Sequence, residues 1–163
     1  TAQRATFDKQ SLLSKKYQRG IAMIFQNPMA TFNPVLTIGY QIAEPLRQLH
    51  GYNRKDAEQE TIRLLERMKI TDATQKAQRY AHEFSGGMLQ RAAIAMALAC
   101  KPQLLIADEP TTALDISTQH EVMALLAELR TEHALSIVFI THDLGLVSRH
   151  ADRIGVMYAG EII

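Results

Sequence analysis

A chain of 163 residues with 47% apolar side chains can bury one sizeable core and forms one ordinary domain or a piece of a larger one. Eighteen Lys and Arg against seventeen Asp and Glu leave a net charge of +1; this lacks the basic excess with which proteins neutralise nucleic-acid phosphates, so a DNA or RNA partner is disfavoured. The longest unbroken apolar run, Ala92 to Cys100, is about half of the roughly 20 residues that cross a bilayer, which excludes a transmembrane helix.

In chain order, residues 1–20 are polar, with Arg4, Lys9, Lys15, Lys16 and Arg19, and read as a solvated connecting segment. "IAMIFQ", 21–26, is a short apolar run closed by Asn27 and Pro28, as in a buried strand. "NPMATFNP", 27–34, holds two Asn-Pro pairs; proline turns the residue before it away from helical angles, which predicts an irregular connection. Residues 35–50 are patterned as a helix with Pro45 inside it, predicting a kink or a break. Asn53 is placed to cap a helix on which Ala57, Thr61, Leu64, Leu65 and Met68 share one face. Residues 71–83 are short, polar and mixed, and 92–100 is a small-residue helix able to pack closely.

After Pro102 the texture changes. "QLLIAD", 103–108, and "LSIVFI", 135–140, read as buried strands, with an amphipathic helix over 116–133 between them carrying Val122, Leu125, Leu126 and Leu129 in register. "DLGLVSRH" is a short helix, and "RIGVMYAGEII" two strands around a turn at Ala159 and Gly160. Strands alternating with helices imply parallel pairing and an α/β fold. The single cysteine, Cys100, reads as a small buried hydrophobe, and a reducing cytoplasm is the expected compartment.

Four stretches carry chemistry. "LLIADEP" ends an apolar strand in two carboxylates; Asp108 either caps a turn or holds a hydrated Mg²⁺ at the carboxyl end of a parallel strand, with Glu109 aligning a water. "ITHD" puts His142 just past the second strand, so that both strands end in polar groups at one sheet edge. Asp115, in "TTALD", is either the N-cap of the helix from 116 or a functional group. In "HEFSGGMLQR", Ser85 can cap a helix whose free N–H groups and partial positive charge suit phosphate, with Gly86 and Gly87 leaving the backbone open; the same residues also serve as a plain cap and flexible joint.

Together these stretches resemble one family, the ATP-binding cassette (ABC) ATPases. "FSGGMLQR" is similar to the family's signature, commonly LSGGQ-x-QR; "LLIADEP" to its Walker B strand and catalytic glutamate; "TALD" to its D-loop; "ITHD" to its switch histidine; and "MIFQNP" to its Q-loop, with Gln26 the namesake. All five stand in the family's order. The stretches "FQNPMATFNPVLTIGYQIAEPLR", "MALACKPQLLIADEPTTALD" and "ADRIGVMYAGEII" resemble the ATPase subunits of dipeptide and oligopeptide importers and their nickel and antimicrobial-peptide relatives. Phe84 and Met88 depart from the common signature in a way frequent in that branch.

The resemblance implies a P-loop NTPase domain, with core pieces at 1–30 and 101–163 and a helical subdomain at 31–100. It implies ATP and Mg²⁺, with Asp108 and Gln26 at the metal, Glu109 polarising the attacking water and His142 at the γ-phosphate. Ser85, Gly86, Gly87, Met88, Gln90 and Asp115 would serve ATP bound to a second ATPase subunit, identical or not, in a head-to-tail dimer. Membrane permease subunits, a substrate-binding protein and the cytoplasmic face of the inner membrane complete the implied setting. A non-transport ABC ATPase of DNA repair or translation, or an inactive binding remnant, are the competing readings. One departure is plain: none of the eight glycines precedes a lysine, so the GxxxxGK[ST] phosphate cradle is absent. The family places that motif and the adenine-stacking aromatic upstream of the Q-loop, so the chain is expected to be a piece of a longer protein that binds little ATP by itself.

Overall fold

Three parallel strands order the molecule, a computed structural model that describes residues 20–163 except Ala113. The connecting segment expected over 1–20 lies, apart from Gly20, outside the described residues. Strands β1 (Ile21–Ile24), β2 (Leu104–Asp108) and β3 (Ser136–Ile140) lie side by side in that order. Ile24 sits opposite Ala107, and Asp108 opposite Ile140. The parallel α/β architecture is as the alternation of elements predicts.

Side chains alternate across a strand, and here the two faces differ. Ala22, Ile24, Leu105 and Ala107 are buried, with Ile137 and Phe139 packed beside them. On the opposite face Ile21, Met23, Val138 and Ile140 are 41%, 38%, 47% and 47% exposed. The expected buried strands are therefore buried on one side only, because the described helices pack against that side.

Between β1 and β2 the chain is helical. Asn27 accepts a bond from the Met29 N–H (3.0 Å) and Pro28 takes the first helical position, so helix α1 (Pro28–Thr31) forms one turn where an irregular connection was predicted. Helix α2 (Ile38–His50), capped by Thr37, runs through Pro45 without a break and ends at Gly51, whose φ of 71° is left-handed. Ile38, Ile42 and Leu46, on one buried face spanning the proline, hold both halves against helices α3 (Arg54–Arg67) and α5 (Gly86–Ala99). Burying each such side chain contributes about 1.5–3 kcal/mol, enough to offset the lost backbone bond.

Asn53 caps α3 as predicted, accepting from the Asp56 N–H at 2.9 Å, and Ala57, Thr61, Leu64 and Leu65 are its buried residues. The polar stretch that follows contains helix α4 (Ala73–Ala77) and a 3-10 turn (Ala81–Glu83). Helix α5 starts well before the apolar run; its alanines let it pack against β1, α1, α2, α3 and helix α6 (Ile116–His133). Cys100, at its end, is partly buried, and burial pushes its thiol up. Val122, Leu125, Leu126 and Leu129 are the buried stripe of α6, as predicted. Helix α7 (Leu144–His150) follows β3, and the hairpin β4 (Met157–Tyr158) and β5 (Glu161–Ile162) closes on Ala159 and Gly160. Their φ values of 50° and 85° are the pair of left-handed residues a tight hairpin turn requires. Among the described residues, no helix is long and apolar enough to cross a membrane.

Candidate functional site

Parallel pairing places the carboxyl ends of β1, β2 and β3 on one edge of the sheet, which is where open α/β sheets bind ligands. Asp108 closes β2, Gln26 follows β1, and His142 follows β3. At the centre is Glu109. Its N–H donates to the Ile140 carbonyl at 2.8 Å, which ties the strand end to β3. Its φ is 44°, a left-handed conformation made more demanding by Pro110 after it; such strain costs on the order of 1–3 kcal/mol and collects at functional sites.

Three donors surround the Glu109 carboxylate. Gln26 Nε2 reaches Oε2 at 2.7 Å across 83 residues, His142 Nδ1 donates to Oε1 at 2.9 Å across 33, and Thr112 Oγ1 donates to Oε2 at 2.9 Å. His142, and after it Thr112, hold the carboxyl below the usual carboxylate range, while partial burial opposes them. The group is thus an anion at neutral pH and a strong hydrogen-bond acceptor. Gln26, Glu109 and His142, named from sequence, are brought together. Thr112 was missed; its signal was a Glu-Pro pair starting a four-residue turn, which returns the fourth residue to the first.

Asp108 shares the open sheet face with Leu104 and Ile106 and is partly exposed. Among the described residues no group of three or more His, Cys, Asp or Glu is placed to hold a metal ion. Asp108 offers one carboxylate at this edge, and Mg²⁺ is an ion that takes one or two carboxylates while keeping several waters. Gln26 commits its amide nitrogen to Glu109 and so has its carbonyl oxygen for such an ion.

The Ser-Gly-Gly stretch opens α5. Ser85 Oγ accepts from the Met88 N–H at 3.3 Å and is the N-cap. The two glycines differ. A β-carbon on Gly87 would lie 2.6 Å from Thr118 Cγ2, whereas one on Gly86 would meet only Leu114 Cδ2 at 3.9 Å. A side chain on Gly87 would collide with α6, whereas Gly86 has room around it. Met88 packs against the core. Gln90, expected to serve a nucleotide, is 1% exposed in this chain because α5 turns it inward, and its amide nitrogen is unpartnered among the described residues.

Asp115 is the N-cap of α6, with Oδ1 accepting from the Thr118 N–H at 2.9 Å and Oδ2 from Thr118 Oγ1 at 2.6 Å. Thr118's hydroxyl and backbone N–H hold its carboxyl below the usual range. Of the two readings open for this residue, the structure displays the cap. Ser85 and Glu109 belong to separate clusters, connected in the chain by α5 and β2.

The family profile described as ABC transporter matches residues 1–112. The chain belongs to the ABC transporter family. A protein of Brucella ovis named as a peptide import ATP-binding protein is 52% identical over 143 residues, covering 88% of this ABC chain and 42% of that protein. A Brucella abortus protein of the same name is 54% identical over 141 residues, 86% of this chain and 42% of its own. The ABC chain thus spans about two-fifths of the length of these curated relatives. Among solved structures it resembles cbiO1 from Clostridium perfringens, described as part of the ABC transporter complex cbiONQ, with a TM-score of 0.81, 26% identity and coverage of 96% of this chain and 59% of that one. The ATP-binding cassette MJ0796, a dimer in a post-hydrolysis state with ADP and Pi, gives a TM-score of 0.77 at 30% identity, covering 96% and 66%. The fold is accordingly that of an ABC ATPase domain, a P-loop NTPase with a parallel sheet.

Proposed function

We propose that this chain is part of the ATP-hydrolysing subunit of an ABC importer that drives peptide uptake. The observation that carries the reading is the Glu109 carboxylate, held between Gln26 and His142 at the carboxyl edge of a parallel sheet. Peptide cargo follows the names of the Brucella relatives.

In this reading Glu109 accepts a hydrogen bond from water and aims its oxygen at the γ-phosphorus of ATP; the bond from phosphorus to the ADP oxygen breaks as the new one forms, and the water's proton passes to the Glu109 carboxylate. His142 turns its N–H toward the γ-phosphate. Asp108 and the Gln26 carbonyl would hold Mg²⁺, which when bound neutralises charge on the β- and γ-phosphates. Ser85, Gly86 and the N-terminal end of α5 would face the γ-phosphate of ATP on a second ATPase subunit, with Asp115 nearby in a head-to-tail dimer. Residues 31–100 would act as the helical subdomain that passes motion to membrane permease subunits, on the cytoplasmic side of the membrane. A substrate-binding protein would deliver the cargo.

None of the chain's glycines is followed by lysine, so the 163 residues alone would bind Mg-ATP weakly and turn it over little. The experiment is to measure Mg-ATP binding and hydrolysis on this chain and on a version extended upstream. Activity in the extended protein alone is the expected result; clear hydrolysis by the shorter chain overturns the statement of weak binding. An extended protein that is inactive, or that co-purifies with ribosomes or nucleic acid rather than with two permease subunits, overturns the importer reading.

A further inference from the structure

Glu109 is held by donors of two kinds. Gln26 and His142 arrive from the ends of other strands, and in the proposed reaction each also serves the ligand, Gln26 through its carbonyl oxygen and His142 through the N–H it turns to the γ-phosphate. Thr112 belongs to the same turn as Glu109: its N–H donates to the Glu109 carbonyl at 3.3 Å, and its hydroxyl to Glu109 Oε2 at 2.9 Å. That turn is itself pinned. The Leu114 N–H donates to the Thr111 carbonyl at 3.1 Å, and Gln119 Nε2, from the first turn of α6, donates to the carbonyls of Thr111 (3.0 Å) and Leu114 (3.3 Å).

We propose that Thr112 is the positioning residue of Glu109, its hydroxyl keeping Oε2 in place beside Gln26 when His142 leaves the carboxylate to engage ligand. The inference rests on the reading of Glu109 as the water-polarising group. A glutamate side chain has three rotatable bonds, and this one starts from a strained backbone; a donor from its own turn, on the oxygen Gln26 also reaches, narrows the positions open to it. Thr112 touches no reacting atom in this account. It acts through Glu109, and the hydroxyl is the active part of it.

The test uses Thr112→Val, which keeps shape and loses the hydroxyl, and Thr112→Ser, which keeps the hydroxyl. In the full-length protein Thr112→Val should lower kcat by roughly 10²-fold, the scale on which about 1 Å of misplacement acts, with KM for ATP unchanged, while Thr112→Ser stays near wild type. Crystal structures of the full-length protein with a non-hydrolysable ATP analogue supply the second readout, which needs no turnover: the Glu109 carboxylate should be displaced or spread over rotamers in Thr112→Val and single in Thr112→Ser. A Val variant with wild-type kcat, or one whose carboxylate stays in place, overturns the inference, as does a Ser variant that fails as badly as Val. A wild-type protein without ATPase activity defeats the proposed function instead, and the carboxylate positions still decide the role of Thr112.

Discussion

Gly87 and Thr118 meet so closely that a β-carbon on the glycine would lie 2.6 Å from Thr118 Cγ2. This contact joins the start of α5 to the start of α6, and it gives Gly87 a packing reason for lacking a β-carbon. Gly87→Ala should therefore destabilise the fold by about 1–3 kcal/mol, the usual range for overpacking. Thr118→Ser removes the offending methyl but keeps the hydroxyl that donates to Asp115 at 2.6 Å, so the double variant should regain most of the loss. Urea unfolding of the four proteins in the cycle measures this; strictly additive effects would show that the contact is not the cause.

Glu109→Gln keeps the shape of the side chain and removes its charge. In the full-length protein hydrolysis should fall about 10²–10⁴-fold, the range for losing a positioned base, while ATP binding is retained. Steady-state ATPase assays with equilibrium nucleotide binding on the same samples check it. A variant that loses both in proportion has lost the site's structure, not its chemistry.

The acid side of the stability profile should carry the signature of Asp115. Its carboxyl is held below the usual range by the Thr118 hydroxyl and then by backbone N–H donors, so its folded pKa is depressed relative to the unfolded chain. Such a group contributes stability that is complete above the unfolded value, about 4, and is lost as pH falls through the folded one. Asp115→Asn, which still caps, should flatten that part of the curve. Melting temperature measured from neutral pH down into the acid range is the readout, and an unchanged slope would refute the assignment.

A row of glutamates on α6 faces cations from the helical half: Glu121 pairs with Arg91, Glu128 with Lys69 at 3.2 Å, and Glu132 with Arg67. The Glu128 and Glu132 pairs are solvent-accessible and worth about 0–1 kcal/mol each. Neutralising Glu128 and Glu132 to Gln should cost less than about 1 kcal/mol apiece in dilute buffer and almost nothing at about 1 M salt, where screening acts over roughly 3 Å. Denaturant titrations at two ionic strengths distinguish this from a large, salt-independent loss, which would mean that the side chains pack rather than pair.

Helix caps and strand ends were legible in the sequence because they are local. Asn53, Ser85 and Asp115 each bond a backbone N–H a few residues ahead, and a capping residue before an apolar repeat announces that by itself. Pro45 does not break the helix, for the opposite reason: the penalty read from one residue is outweighed by Ile38, Ile42 and Leu46 packing against α3 and α5, partners far off in the chain. Asn27 and Pro28 read as a loop, yet the same two residues also suit the start of a helical turn.

The order and identity of Gln26, Asp108, Glu109 and His142 were determined by the sequence alone, since each lies next to a short apolar run that has to become a strand. What only the tertiary structure decided is how these ends meet. Register sets Asp108 beside Ile140 and delivers His142 to Glu109, and the inward turn of α5 hides Gln90 while leaving Ser85 outside. The fit of Gly87 against Thr118 and the hold of Thr112 on Glu109 are likewise matters of a few ångströms. Spacing along a chain states which groups are near in sequence; distances of that size depend on packing summed over many residues.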